Sequence, residues 1–133
     1  MAKKSRDKGK RHEREIAALF KLVFLEARRG LSQSSGPREA DVEGTPFRIE
    51  CKHHAVFPNP VRALEQADED GKAYGDNRIP IAVVRQDRSR NTVTLYLTDF
   101  LHIMETLKAY LVTSFEPDAN NTYEDAPEDC DGE

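Results

Sequence analysis

The sequence predicts an α/β fold: a central mixed β-sheet flanked by helices. Two observations carry this reading. Apolar residues recur at helical spacing in residues 10–28, 60–73 and 99–114, and apolar and polar residues alternate in pairs of short runs between them. The resulting order is helix, strand, strand, helix, strand, strand, helix, which builds a sheet with helices packed on it. A chain of 133 residues is one domain by size, long enough for a single core.

Residues 1–11 (MAKKSRDKGKR) are too polar to bury a face and read as a basic mobile arm, either a solubilising tail or a phosphate-contacting one through Lys8, Lys10 and Arg11. From residue 10 to 28 the chain reads as an amphipathic helix with Ile16, Leu19, Phe20, Val23, Phe24 and Ala27 on its apolar side, closed by Gly30 after Arg28 and Arg29. Glu13 stands out. At about 100° per residue it falls roughly 20° from Phe20, on the packed side. A carboxylate there needs a cation, a hydrogen-bond partner or a functional reason, unless it is simply a first-turn acid at a fraying end.

Two alternating runs follow, residues 40–43 and 47–52, joined by Gly44-Thr45-Pro46, the composition of a hairpin turn. On the second run, Phe47, Ile49 and Cys51 share one face and Arg48, Glu50 and Lys52 the other. A hairpin symmetric about Thr45 and Pro46 sets Asp41 directly across from Glu50, with Cβ atoms roughly 5 Å apart. Glu50-x-Lys52 alone is what the wet face of many antiparallel hairpins shows. With Asp41 in register, two carboxylates converge beside a lysine, an arrangement that is costly without a cation between them. A hard divalent ion suits the site. Mg²⁺ needs few carboxylates and keeps its waters, and Mn²⁺ is the expected substitute.

His53 and His54 lack a third ligand at metal spacing and read as strand-end residues facing a polyanionic partner or solvent. After Phe57-Pro58-Asn59-Pro60, Asn59 is positioned to cap a second helix that starts at Pro60 and runs to about residue 73, its end marked by Gly71 and Tyr74-Gly75; Gln66 lies on it and reads as solvated. Residues 79–85 and 92–98 read as strands, with Pro80 at a start or edge and Val93, Leu95 and Leu97 facing the core. A last helix over residues 99–114 carries Phe100, Ile103, Met104, Leu107, Leu111 and Val112 as its apolar side.

Composition excludes several classes. No apolar run is long enough to span a bilayer, and no apolar core follows the basic start as in a signal peptide, so no membrane partner is expected and the expected location is cytoplasmic. Two cysteines, Cys51 in a strand and Cys130 in a polar tail, do not make a disulfide framework or a zinc site. There is no glycine-rich loop for a nucleotide cofactor. The net charge of −4 conceals an asymmetry: residues 116–133 hold eight acids and no Lys or Arg, leaving 20 basic against 16 acidic residues before them. Such a body is compatible with a polyanionic partner, and the tail is expected to be disordered.

Taken together, Lys8-Gly9-x-x-x-Glu13-Arg14-Glu15, then Ser34-Ser35-Gly36, then Asp41, then Glu50-x-Lys52 resemble the PD-(D/E)XK nuclease superfamily, and most closely the archaeal-type Holliday junction resolvases and their phage relatives. The resemblance covers residues 8–54 closely and the element order to about residue 112. It implies a restriction-endonuclease-like fold over residues 12–115. It implies that Asp41, Glu50 and the carbonyl of Cys51 bind the metal, that Lys52 positions the attacking water, and that Glu13 supports the metal or its water. Arg14, and Ser34 with Ser35 beside it, would contact DNA phosphate. The implied substrate is branched DNA, a four-way junction cut by a homodimer. A nuclease for flaps, nicked, damaged or restriction-type duplex, and a non-cutting DNA-binding protein, are the other readings the same residues allow.

Overall fold

A computed structural model describes residues 2–31 and 39–114, which divide into two compact units between residues 99 and 100. The elements are α1 (Ala2–Lys21), β1 (Arg28–Arg29), β2 (Val42–Glu43), β3 (Phe47–His54), α2 (Pro60–Ala73), β4 (Ile79–Gln86), β5 (Thr92–Thr94) and α3 (Leu97–Ser114). The five strands form one mixed sheet in the order β1-β2-β3-β4-β5; only β3 and β4 run parallel, as a helical crossover through α2 requires. The α/β class with a mixed, helix-flanked sheet is therefore as expected. Among the described residues no helix is long and apolar enough to cross a membrane.

The alternation along β4 distributes its side chains to two cores, while β3 gives apolar side chains to one of them. Ile49 and Cys51 join Ile16 and Ala17 of α1, Val42, Ile81 and Val83 on one face; Ala82 and Val84 meet Ala63 and Leu64 of α2 on the other. Burying Ile16, Val42 and Ile49 stabilises the first core by about 1.5–3 kcal/mol each. The crossover helix starts where its residues dictate. Asn59 accepts the N–H groups of Val61 and Arg62 at 3.1 and 3.2 Å, Pro60 takes the first helical position, and Gly75 follows the C-cap at φ +67°. Gly71 does not end this helix but lies buried inside it, against the Arg48 side chain. Pro80 sits outside the stretch of β4 that β5 pairs, where its missing N–H leaves no gap in that ladder.

Several boundaries differ from the sequence reading. The basic segment 2–11 is not a free arm but the first half of α1, and Lys8 is tied to Asp87 at 2.7 Å. The helix then stops at Lys21 rather than near residue 28. Successive turns at Leu22–Val23 and Leu25–Glu26 reverse the chain so that Arg28–Arg29 return as an edge strand against Val42–Glu43. Val23, placed on the apolar stripe, lies beyond the helix and is exposed, and Leu19, within the helix, is exposed as well. Gly30 is no helix cap: its N–H donates to the carbonyl of Asp41 at 2.8 Å, and a Cβ there would lie 1.9 Å from the Ala40 carbonyl oxygen. Strand β5 ends at Thr94, Val93 is exposed on the sheet edge, and Leu97 is exposed within α3; only Leu95 of that expected trio packs on the core.

The second unit contributes residues 100–114 of α3, in which Phe100, Leu101, Leu107 and Leu111 are exposed; the side chain of Val112 lies outside the described residues. So do Ser34, Ser35 and the acidic tail at 116–133.

Candidate active site

The hairpin forms in the expected register, Val42 opposite Ile49, which carries Asp41 to the level of Glu50. Asp41 is held by its backbone on both sides: its N–H donates to Ile49 O at 3.0 Å and its carbonyl accepts from Gly30. Its Oδ2 accepts the Cys51 N–H at 2.8 Å. That bond shows that Cys51 turns its backbone toward the Asp41 side, and its carbonyl points the same way because a strand residue's N–H and C=O share a side. Two residues apart on β3, Lys52 Nζ stands 3.2 Å from Glu50 Oε1.

The charges of the cluster are legible in its acidities. Burial, then the Glu50 carboxylate and more weakly Glu13, push Asp41 up to about 7, against the opposing Cys51 N–H and Lys52. Burial also raises Glu50, with Lys52 pulling the other way. The Cys51 thiol is driven well above its ordinary value by burial and by Asp41, Glu13 and Glu50, so it is a packed, unreactive thiol. Two half-buried carboxylates are thus held side by side at a cost that a cation between them would relieve.

Glu13 points to this region from α1, but not unaccompanied. Its Oε2 accepts from Arg29 Nε at 2.8 Å, and both line a cavity of about 420 Å³ with Arg6, Lys10 and Asp41. Arg29 is the site residue that the sequence reading missed, because it was placed in the last turn of a helix. The need of Glu13 for a cation was the available signal; which cation was not. Among the described residues no three His, Cys, Asp or Glu side chains form a ready coordination set. The donors suited to a hard cation are therefore Asp41, Glu50 and the Cys51 carbonyl, a small set that fits Mg²⁺, which retains most of its waters.

Of the other candidates, Arg11 and Arg14 are exposed on α1, and Lys10 faces the Glu13 cavity. His53 is turned inward: its ring lies 5.1 Å from that of His12, Nε2 lies 2.9 Å from Asp87 Oδ1, and burial followed by His12 lowers its pKa. His12, also unmarked by the sequence reading, is buried and joins Nε2 to Asn91 Oδ1 at 2.8 Å. His54 and Gln66 are exposed and share with Lys52, Asn59 and Arg62 a cavity of about 490 Å³ on the α2 side.

Comparison with known proteins found no match to a family model, a curated protein or a solved structure.

Proposed function

We propose that this protein is a metal-dependent, structure-selective DNA endonuclease of the PD-(D/E)XK type, with a restriction-endonuclease-like fold, that resolves four-way junctions by paired phosphodiester hydrolysis. The observation that carries the proposal is the convergence of Asp41, Glu50 and Lys52 at one end of the β2–β3 hairpin, with both carboxyls held above their ordinary pKa. A purely structural ion pair needs one acid and one base; a second buried acid beside them destabilises the apoprotein and is explained by a cation-dependent role.

Asp41, Glu50 and the Cys51 carbonyl would hold Mg²⁺, or Mn²⁺ in its place. When bound, the ion supplies polarisation of the scissile phosphate and a water of lowered pKa. Lys52 holds the attacking water in line with phosphorus by hydrogen bonding and stabilises the charge that develops on the phosphoryl oxygens. Glu13, kept in place by Arg29, adds its charge on the Asp41 side, where it would support the metal or its water. The water oxygen bonds to phosphorus as one ester P–O bond breaks; its protons end on the new phosphate and the leaving hydroxyl. Arg14, Lys8, Lys10 and Arg11 on α1, with Ser34 and Ser35, contact backbone phosphates. A homodimer with one centre per protomer matches the two opposed strands of a junction.

The test is to incubate the protein with a labelled immobile four-way junction, a linear duplex and a flap, with Mg²⁺ or with a chelator. Paired symmetric nicks on the junction are expected. Cutting of every substrate transfers the site to a nuclease of broader target, and binding without cutting ends the catalytic reading. Lys52→Ala is expected to lower cleavage by about 10²–10³-fold, the usual loss for one transition-state donor, while junction binding persists.

A further inference from the structure

The end of β3 and the first turns of α1 line a further pocket, of about 240 Å³, formed by Lys4, Ser5, Lys8, His53, His54 and Ala55. Its lining side chains are two ammonium groups, a hydroxyl and two imidazoles, with no carboxylate among them. That composition is selective: it offers donors to a group that carries acceptors only, and a phosphate diester is such a group.

The pocket is held together by contacts far apart in the chain. Asp87 takes Lys8 at 2.7 Å and His53 at 2.9 Å, which ties α1 to both the end of β3 and the turn after β4 and leaves Lys4, Ser5 and His54 as the donors not engaged by that carboxylate. His12 bonded to Asn91 repeats the tether one turn further along α1. Arg85 reaches Glu15 at 3.3 Å beyond that. The segment that carries Lys4 and Ser5 is therefore an ordered helix seated on the sheet, not a loose arm.

The pocket is also in line with the cleavage centre. Alternation along β3 places Glu50, Lys52 and His54 on one side of the strand in succession. His54 lines this pocket and also the larger cavity that contains Lys52. On α2 that larger cavity presents Arg62 at the start of the helix and Glu65 and Glu69 further along it, and the two carboxylates repel a phosphate backbone. The side toward α1, with Lys4 and Lys8, therefore carries no acidic lining to oppose a polyanion, whereas the Glu65 and Glu69 side does.

We propose that Lys4, Ser5, Lys8 and His54 form a phosphate seat that grips the nucleic-acid backbone next to the cleavage centre and fixes the direction in which the strand leaves it. This rests on the nucleic-acid reading of the preceding subsection, and its residues are positioning residues. The experiment compares wild type, the double variant Lys4→Ala/His54→Ala, Lys4→Arg and Lys52→Ala. Both residues of the double variant are exposed, and unfolding midpoints check that the fold is kept. Binding of a fluorescein-labelled four-way junction is followed by anisotropy in chelator at several salt concentrations, with cleavage measured separately in Mg²⁺. The double variant is expected to bind about tenfold more weakly and to lose about one to two phosphate equivalents from the salt slope, while Lys4→Arg retains both affinity and slope. Unchanged affinity and slope in the double variant overturn the seat even if Lys52→Ala abolishes cleavage. Loss of binding and slope with no cleavage by any form upholds the seat and refutes the nuclease instead. Inorganic phosphate that competes as tightly as the oligonucleotide overturns the backbone assignment, leaving a site for the free anion.

Discussion

At the scale of single residues, the buried, crowded carboxyl of Asp41 costs stability. Its carboxyl is about 7 in the folded chain against roughly 3.9 when unfolded. Between those values the native state holds a proton that the unfolded state has released, so stability falls as pH rises from about 4 to about 7 and the full penalty persists above. Asp41→Asn is therefore expected to stabilise the metal-free protein at pH 8, on the order of 1–4 kcal/mol by urea denaturation, and to change little at pH 4. Mg²⁺ should raise the wild-type midpoint at pH 8 more than at pH 5, because it competes with that proton. If the Asp41→Asn variant were no more stable than wild type at pH 8, the carboxylate crowding would be absent.

At the scale of elements, two devices hold the hairpin where the site needs it. One is the approach of β1 to the loop before β2, which only a residue without Cβ permits at Gly30. Gly30→Ala must push Ala40 and Asp41 aside; it should cost at least about 1–3 kcal/mol and shift the Asp41 backbone resonances in an NMR spectrum. The other is a charged chain beneath the hairpin. Arg78 joins Glu43 at 2.7 Å to Asp76 at 2.7 Å, and Asp76 takes the buried Arg48 at 3.0 Å, while Gly44, at φ +80°, turns the chain against Glu26. Arg78 hydrogen bonding, helped by Arg48, holds Asp76 far below the usual carboxylate range. Asp76→Ala strands the Arg48 guanidinium and should destabilise by roughly 3–5 kcal/mol, read from the denaturation midpoint. A depressed carboxyl contributes its stability above about pH 4 and loses it as pH falls, so the gap between variant and wild type should narrow in acid.

At the scale of the whole molecule, charge is divided between a basic α1 and an acidic 116–133 segment. On the proposed nucleic-acid reading, an acidic segment that competes for the basic residues would do so by long-range attraction, which salt screens within about 10 Å at 0.1 M. Deleting residues 116–133 is expected to tighten nonspecific duplex binding at low salt and to have little effect at high salt, measured as the slope of log affinity against log salt. Equal slopes for both forms would show that the segment does not compete.

The sequence by itself determined what depends on neighbours along the chain: the period-two alternation of β3, the register of the Asp41–Glu50 hairpin, the Asn59 cap and Pro60 start of α2, and the α/β class. Each is decided by dihedral preference or side-chain period over a few residues, so each is visible in a short window. Only the tertiary structure decided that α1 begins at Ala2 and ends at Lys21, that Arg29 is the cation for Glu13, and that Lys8, His12 and His53 meet Asp87 and Asn91. The pairings of Glu13, Lys8 and His12 join residues 16 to 79 positions apart. No local preference selects among the chain's many arginines and carboxylates; the partner is whichever the packed sheet brings within reach.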